Sequence, residues 1–137
     1  TLPRPMLHEN NFDFSFSGLK TAVRRLVEDK QVSDEDRMGL AREFEDAVTE
    51  VLLTKTLRAV DEFGTNTVLV GGGVSANIYI RSELARKLTT ANCRLLVPPP
   101  ELATDNAIMI ALAGYFHALN KEFADPLSLT AHGNLKL

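Results

Sequence analysis

The 137-residue chain has little cysteine, no strong charge of either sign and no long apolar run. Its one cysteine, Cys93, cannot form an internal disulfide, which favours a reducing compartment and predicts a buried thiol. The formal net charge of −3 argues against holding nucleic acid by bulk electrostatics, because phosphate binding needs a clustered basic surface. The longest apolar stretch, 107–116, is too short to cross a bilayer, and no basic and hydrophobic leader opens the chain. These features predict a cytoplasmic protein.

The sequence also lacks a complete catalytic or metal-binding signature. It has no H-E-x-x-H segment, and His8, His117 and His132 do not have the spacing of metal ligands. No Ser-His-Asp or Cys-His arrangement can be assembled from the chain. His117 is therefore predicted to be structural or solvent-facing, and any enzymatic activity needs residues from elsewhere.

What is present is typical of a folded domain. Hydrophobic residues make up 45% of the chain and charged residues 24%, which is close to the globular average. The first residue is Thr1, followed by a proline-containing segment typical of a connecting loop. We therefore expect the chain to be an internal piece of a larger protein, with 121–137 as a loose tail.

Hydrophobic periodicity predicts four helices. Ser33 and the three acidic residues after it are typical of a capped helix start, and Gly64 is a typical helix stop. The expected helices cover 18–30, 34–63, Ser75 or Asn77 to Leu88, and a stretch capped by Thr104 that reaches Asn120.

Short apolar runs predict three strands, at 12–16, 67–70 and 94–97, of which the second is expected to be buried. Alternating strands and helices indicate an α/β layer with parallel strands and crossover helices. In such sheets ligands sit beyond the carboxyl ends of the strands. The junctions at 15–18, 71–77 and 98–105 should therefore open toward one edge.

Two of these junctions are candidate ligand loops. The GGGVSAN segment, 71–77, offers unobstructed backbone amides where a helix begins, which suits a phosphate or a carbonyl oxygen, although a tight packing turn has the same pattern. It is neither a Walker A loop nor a dinucleotide fingerprint. The SFSGLK segment, 15–20, could cradle an anion through Ser17 and Gly18, or could simply be a capped helix start with a solvated Lys20.

The third junction carries a carboxylate. Asp105 is predicted to lie in the first turn of an apolar helix. It could be one of several ligands to a metal ion, since zinc-type and harder cations both accept carboxylates. The alternative is a carboxylate that only complements the helix dipole, because acidic first turns are common.

Taken together, the motifs closely resemble those of the tRNA adenosine threonylcarbamoyltransferase family, TsaD, over nearly all of the chain to about Phe116. The matching segments are FDFSFSGLKTAV at 12–23, GGGVSAN at 71–77 and ATDNAIMIALAG at 103–114, with PRPM at 3–6 and REFEDAV at 42–48 in support. The resemblance implies the C-terminal lobe of an actin-like ATPase domain of the ASKHA, ribonuclease H-like class. The implied reaction passes the threonylcarbamoyl group of threonylcarbamoyl-AMP to the exocyclic amine of the adenosine beside the anticodon, in tRNAs that read codons beginning with A.

The same resemblance implies roles for individual residues. Asn77 should contact the adenylate, with the turn of Gly71, Gly72, Gly73 and Ser75 against it, and Asp105 should be one of three ligands to iron or zinc. The other two ligands would be histidines of an H-x-x-x-H helix, which this sequence lacks together with the SGGHT segment of the substrate pocket. The chain alone is therefore expected to be inactive and, with apolar sheet edges exposed, to self-associate.

The sequence departs from the family pattern at three places. Ala103 stands where relatives often carry cysteine, the stretch Ile78–Ile80 is more apolar than usual, and the tail lacks an Arg-Trp-Pro-Leu ending. If the protein is bacterial, TsaB- and TsaE-like partners are implied. One alternative is a non-catalytic nucleotide-binding or partner-scaffold module. A metallopeptidase, the activity in the family's older glycoprotease label, ranks lower because no peptidase signature is present.

Overall fold

The computed structural model describes residues 1–29, 33–131 and 133. The helices are α1 (Ser17–Asp29), α2 (Asp34–Phe63), α3 (Ile78–Thr90) and α4 (Ala107–Leu119), and the strands are β1 (Thr67–Leu69) and β2 (Arg94–Leu96). Short 3-10 turns at Gly73–Ala76 and Pro100–Leu102 follow the two strands. Within the described residues no helix is both long enough and apolar enough to span a membrane. The elements confirm the predicted α/β content.

Helix α2 begins and ends where its sequence signals predict. The Ser33 hydroxyl accepts a hydrogen bond from the backbone N–H of Asp36 at 3.1 Å, which satisfies one of the free amides of the first turn. Gly64 ends the helix at φ +60°, a left-handed conformation that glycine adopts without the steric penalty of a side chain. Helices α1 and α3 pack against this thirty-residue helix.

The two strands form a parallel pair with Val68 opposite Leu95, and α3 connects them. Val68 and Leu95 contact a core formed by α2, α3 and Cys93, whose thiol is buried as expected. The prediction that 67–70 is a buried strand was wrong, because Leu69 is 77% exposed. The helices cover only the Val68 face, and the opposite face is open among the described residues. The buried members of the core are Leu53, Val60, Ile80, Leu84, Leu88 and Cys93.

The predicted strand at 12–16 does not form, and the segment is irregular. In a sheet the N–H groups of a neighbouring strand donate hydrogen bonds to a strand's carbonyl oxygens. Here the Lys55 ammonium donates instead, to the carbonyl oxygens of Asn11 and Asp13 at 3.0 and 2.8 Å. Phe12 packs on the ring of Phe63, with 5.3 Å between their centroids. Alternation of phenylalanines therefore reflects separate packing sites and not the face of a strand.

The start of α4 also differs from the prediction. Asn106, and not Thr104, caps the helix, since its Oδ1 accepts from the backbone N–H of Met109 at 2.9 Å. Asparagine is a stronger N-cap than threonine, and Asn106 has the extended backbone that a cap requires. Asp105 consequently precedes the cap and does not lie in the first turn.

Helix α4 is apolar on all sides and exposed along its length in the described structure. Its large exposed side chains are Ile108, Met109, Ile110, Leu112, Tyr115, Phe116 and Leu119. A helix of this composition is ordinarily buried. Residues 121–131 form turns without a helix or strand, and His132 lies outside the described residues.

Candidate functional site

The glycine-rich segment forms a tight turn at the end of β1. Gly72 has φ +82°, which a residue with a side chain rarely adopts, so glycine is required at this position. The N–H of Ser75 donates to the Gly72 carbonyl at 2.9 Å, and the N–H of Asn77 donates to the Val74 carbonyl at 3.0 Å. Gly71 and Gly73 are exposed beside this turn. The strand therefore passes into α3 within one compact loop.

Asn77 is held at both ends of its side-chain amide. Its Oδ1 accepts from the backbone N–H of Ile80 at 2.9 Å and so caps α3, as predicted for a helix start at this residue. Its Nδ2 donates to Glu45 Oε1 of α2 at 2.8 Å. These two bonds fix the orientation of the amide, which is half-buried and retains one N–H and one acceptor position for a ligand.

Ser75 is the one described side chain with a buried polar atom that lacks a hydrogen-bond partner within the described residues. The residue is 3% exposed. An unsatisfied buried hydroxyl costs about 1–3 kcal/mol, so such groups are normally paired in a complete protein. The Oγ of Ser75 is therefore a polar atom that a ligand or another segment can satisfy.

An open groove of about 760 Å³ runs from the start of α1 along α2 to Asn77. Its lining combines two phenylalanines and aliphatic side chains with two cations, one carboxylate and one amide. This volume is in the range of sites for small molecules and cofactors. The lining residues are Phe16, Lys20, Ala41, Arg42, Phe44, Glu45, Val48, Leu52, Val74, Asn77 and Ile80.

A positive group is held at the rim of the groove. Arg42 makes an ion pair with Asp46 at 3.2 Å, and its guanidinium carbon lies 4.1 Å from the centroid of the Tyr79 ring. Interaction with the Tyr79 hydroxyl lowers the pKa of the Asp46 carboxyl, and Arg42 lowers it further. Asp46 therefore stays ionised at neutral pH and keeps Arg42 beside the groove, where it and Lys20 favour an anionic ligand.

Two of the three predicted junctions come together directly. A β-carbon at Gly73 would lie 3.8 Å from Thr104 Cγ2, so the glycine turn and the loop after β2 are in van der Waals reach. The third junction, 15–18, is connected to the glycine turn by the groove, because Phe16 and the nearby Lys20 line the groove together with Asn77. Ser17 and Gly18 form the exposed first turn of α1 next to these residues.

Asp105 is exposed in the loop next to Thr104. Among the described residues, no group of three or more histidine, cysteine, aspartate or glutamate side chains is arranged to hold a metal ion. A single exposed carboxylate leaves an ion mostly hydrated, so the donor set of this chain does not fit a metal centre by itself. His117 instead pairs with Glu122 at 2.6 Å on an exposed surface, which confirms the prediction for this residue.

Sequence reasoning gave no role to two of the residues that shape the groove, Arg42 and Glu45. Both lie on α2, where they continue its apolar face at helical spacing toward Val48 and Leu52. That spacing is the signal that could have identified them. Polar residues in line with a core face tend to mark the edge at which the core opens to solvent.

Comparison with known proteins identifies relatives for most of the chain. Residues 1–112 match the family model described as TsaD, tRNA N6-adenosine threonylcarbamoyltransferase. A protein of that name from Moorella thermoacetica is 47% identical over 98% of this chain and 40% of its own length. Those from Thermosipho africanus and Aromatoleum aromaticum are 41% and 48% identical over 98% and 85% of this chain, and over 41% and 34% of their own length. The chain thus spans about two fifths of the length of the first two.

Proposed function

The chain belongs to the tRNA N6-adenosine threonylcarbamoyltransferase family, and we propose that its groove binds the adenylate of threonylcarbamoyl-AMP within such an enzyme. The observation that carries the proposal is the groove itself, which ends at Val74 and Asn77, directly after the Gly71–Gly73 turn. The proposed reaction transfers the threonylcarbamoyl group to the exocyclic amine of the adenosine beside the anticodon, in tRNAs reading codons that begin with A.

The chemistry of the lining suits an adenylate. Phe16 and Phe44 offer flat apolar surfaces on which a base can pack, while the amide of Asn77 can hydrogen-bond its polar edge or the ribose. Lys20 and Arg42 supply positive charge for the phosphate. The exposed backbone of the glycine turn, directly before Val74, adds hydrogen-bonding groups at the same end.

In the proposed reaction the adenosine nitrogen attacks the carbamoyl carbon, the bond from that carbon to the phosphate oxygen breaks, and AMP leaves. The amine loses one proton in the process. The role of this chain is to hold the adenylate, so that the carbonyl is oriented and the leaving phosphate is stabilised by Lys20 and Arg42. Residues from the rest of the protein must complete the pocket, because the described residues of this chain do not form a catalytic set.

We propose further that Asp105 supplies one ligand to an iron or zinc ion whose remaining ligands come from the rest of the protein. A metal at such a site polarises a carbonyl and stabilises negative charge. The proximity of Thr104 to Gly73 supports the proposal, since it brings the Asp105 loop beside the adenylate turn. The actin-like ATPase fold, the cytoplasmic location and the TsaB- and TsaE-like partners belong to the same proposal.

The isolated chain is expected to be inactive and to self-associate. The exposed apolar surface of α4 and of Leu69 would be covered by other segments in the full-length protein. Light scattering of the isolated chain should therefore show oligomers, and a single-turnover assay should show no transfer to unmodified tRNA. A monomer that transfers the group would contradict both expectations.

The adenylate proposal is tested by filling the groove in the full-length protein. Val74 lines the groove and is 61% exposed, so Val74→Trp adds bulk without disturbing a core. Isothermal titration with a non-hydrolysable threonylcarbamoyl-adenylate analogue should show at least about a tenfold loss of affinity, equivalent to 1.4 kcal/mol. The matched control is Glu62→Trp, at an exposed residue in the last turn of α2 that does not line the groove.

Equal affinities of wild type and Val74→Trp would reject the groove as the adenylate site. Analogue binding without transfer to tRNA by the full-length protein would favour the alternative of a non-catalytic nucleotide-binding module. Cleavage of casein by the same preparation would favour the metallopeptidase. The three outcomes are distinguished by titration, a tRNA transfer assay and a casein cleavage assay.

A further inference from the structure

Arg81 connects the two loops that approach each other at the candidate site. It lies in the first turns of α3, and its Nε donates to the carbonyl oxygen of Ser75 at 3.0 Å. Its Nη2 donates to the carbonyl oxygen of Pro98, beyond β2, at 2.7 Å. One half-buried guanidinium therefore bridges the backbone of both loops.

We propose that Arg81 is a positioning residue that fixes the glycine turn, 71–77, relative to the loop at 98–105. Arginine suits this role because its donors have a rigid planar arrangement, so one side chain can hold two carbonyls at a set separation. Lysine can supply the charge but not the fixed fork. Arg81 does not line the groove, so it acts through Ser75 and the turn and not by touching a ligand.

The consequence for function rests on the proposed adenylate site. Arg81 holds the carbonyl of Ser75, two residues before Asn77, and Thr104 lies near Gly73 on the other side of the turn. Without the bridge the two loops would move independently. The adenylate turn and the Asp105 loop would then lose their common geometry, although every group that touches a ligand is still present.

The test uses the full-length protein with Arg81→Met, which keeps the length of the side chain and removes both donors, and Arg81→Lys, which keeps the charge. Arg86→Met is the matched control, because Arg86 lies on the same helix and its side chain pairs with Glu83 of that helix. Hydrogen exchange of the peptides covering 71–77 and 98–105 reports loop mobility without any ligand. Titration with the adenylate analogue reports affinity.

In Arg81→Met, amide exchange should rise at least about tenfold in both peptides and stay unchanged in α2, and analogue affinity should fall at least about tenfold, because the loss of even one charged hydrogen bond corresponds to about that factor. Arg81→Lys should lie between wild type and Arg81→Met, and Arg86→Met should match wild type. If Arg81→Met does not fold, hydrogen exchange of the same two peptides in Arg81→Lys tests the proposal.

Wild-type exchange in both peptides, or a uniform increase throughout the protein, would overturn the proposal. Affinity that stays unchanged in Arg81→Met while both peptides exchange faster would also overturn the positioning role. If the wild-type protein itself does not bind the analogue, the adenylate proposal fails. Exchange in the two peptides still decides in that case whether Arg81 holds the loops together.

Discussion

Asn77 has two structural bonds as well as its proposed ligand contact, and substitutions can separate them. Asn77→Ala removes the cap on the Ile80 N–H and the bond to Glu45. Asn77→Ser keeps a hydroxyl that can cap α3 but is too short to reach Glu45 or a ligand in the groove. Stability and affinity should therefore respond differently in the two variants.

The magnitudes follow from the individual bonds. Loss of the cap costs about 1 kcal/mol, and loss of the bond to the Glu45 carboxylate costs about 1–2 kcal/mol. Asn77→Ala should thus lower the free energy of unfolding by about 2–3 kcal/mol and Asn77→Ser by about 1–2 kcal/mol. Both variants should weaken adenylate binding equally, by about 1–3 kcal/mol, if the amide contacts the ligand.

Chemical denaturation and isothermal titration of the full-length protein measure the two quantities. Ser33→Ala is the control, because it removes the equivalent cap of α2 at a site outside the groove and should change stability alone. If the affinity of Asn77→Ser is close to that of wild type while Asn77→Ala binds weakly, Asn77 acts only by capping the helix. Unchanged affinity and turnover in both variants would refute its binding role.

Three further predictions concern other parts of the chain. Asp105→Ala should lower the metal content of the purified full-length protein, measured by elemental analysis, and equal content would favour a loop carboxylate without a metal role. Lys55→Met should lower the free energy of unfolding by about 3 kcal/mol, because the buried ammonium donates to two backbone carbonyls. A change below about 1 kcal/mol would show that water takes over the hydrogen bonds of the ammonium. The hydrogen bond from Arg4, with a second from the Leu2 N–H, lowers the pKa of Glu43. The stability that this bond contributes should therefore be complete above the ordinary pKa of glutamate and be lost as the pH falls through the lowered pKa. Glu43→Gln should flatten the acid side of a profile of thermal unfolding against pH. An unchanged profile would show that the pair contributes no stability.

Local signals in the sequence were sufficient for the helices and the parallel strand pair. Ser33, Gly64 and Asn77 form the predicted boundaries because caps and left-handed glycines depend on neighbouring backbone groups alone. The strand at 12–16 could not be judged in this way. Its formation depends on a distant hydrogen-bonding partner, and Lys55, more than forty positions away, takes the carbonyls instead.

The loops of the candidate site could be predicted from the sequence, but the helix residues that line the groove or hold the loops could not. The glycine turn and the Asp105 loop follow strands, so strand order alone indicates that they meet at one edge. Arg42 and Glu45 enter the site because α2 crosses beneath the turn, and Arg81 because α3 leaves it. Such contacts depend on how helices pack over the sheet, which periodicity does not specify. The buried hydroxyl of Ser75, which has no partner among the residues that the structure describes, could likewise be identified only from its surroundings.

Single-turnover transfer tests the central claim most directly. The full-length protein is mixed with unmodified tRNA and labelled threonylcarbamoyl-AMP, and label on the adenosine beside the anticodon is measured for wild type, Val74→Trp and Glu62→Trp. We expect transfer by wild type and Glu62→Trp and at least about a tenfold lower rate at limiting adenylate for Val74→Trp. Transfer by Val74→Trp at the wild-type rate would contradict the proposed groove, and no transfer by wild type would contradict the proposed function.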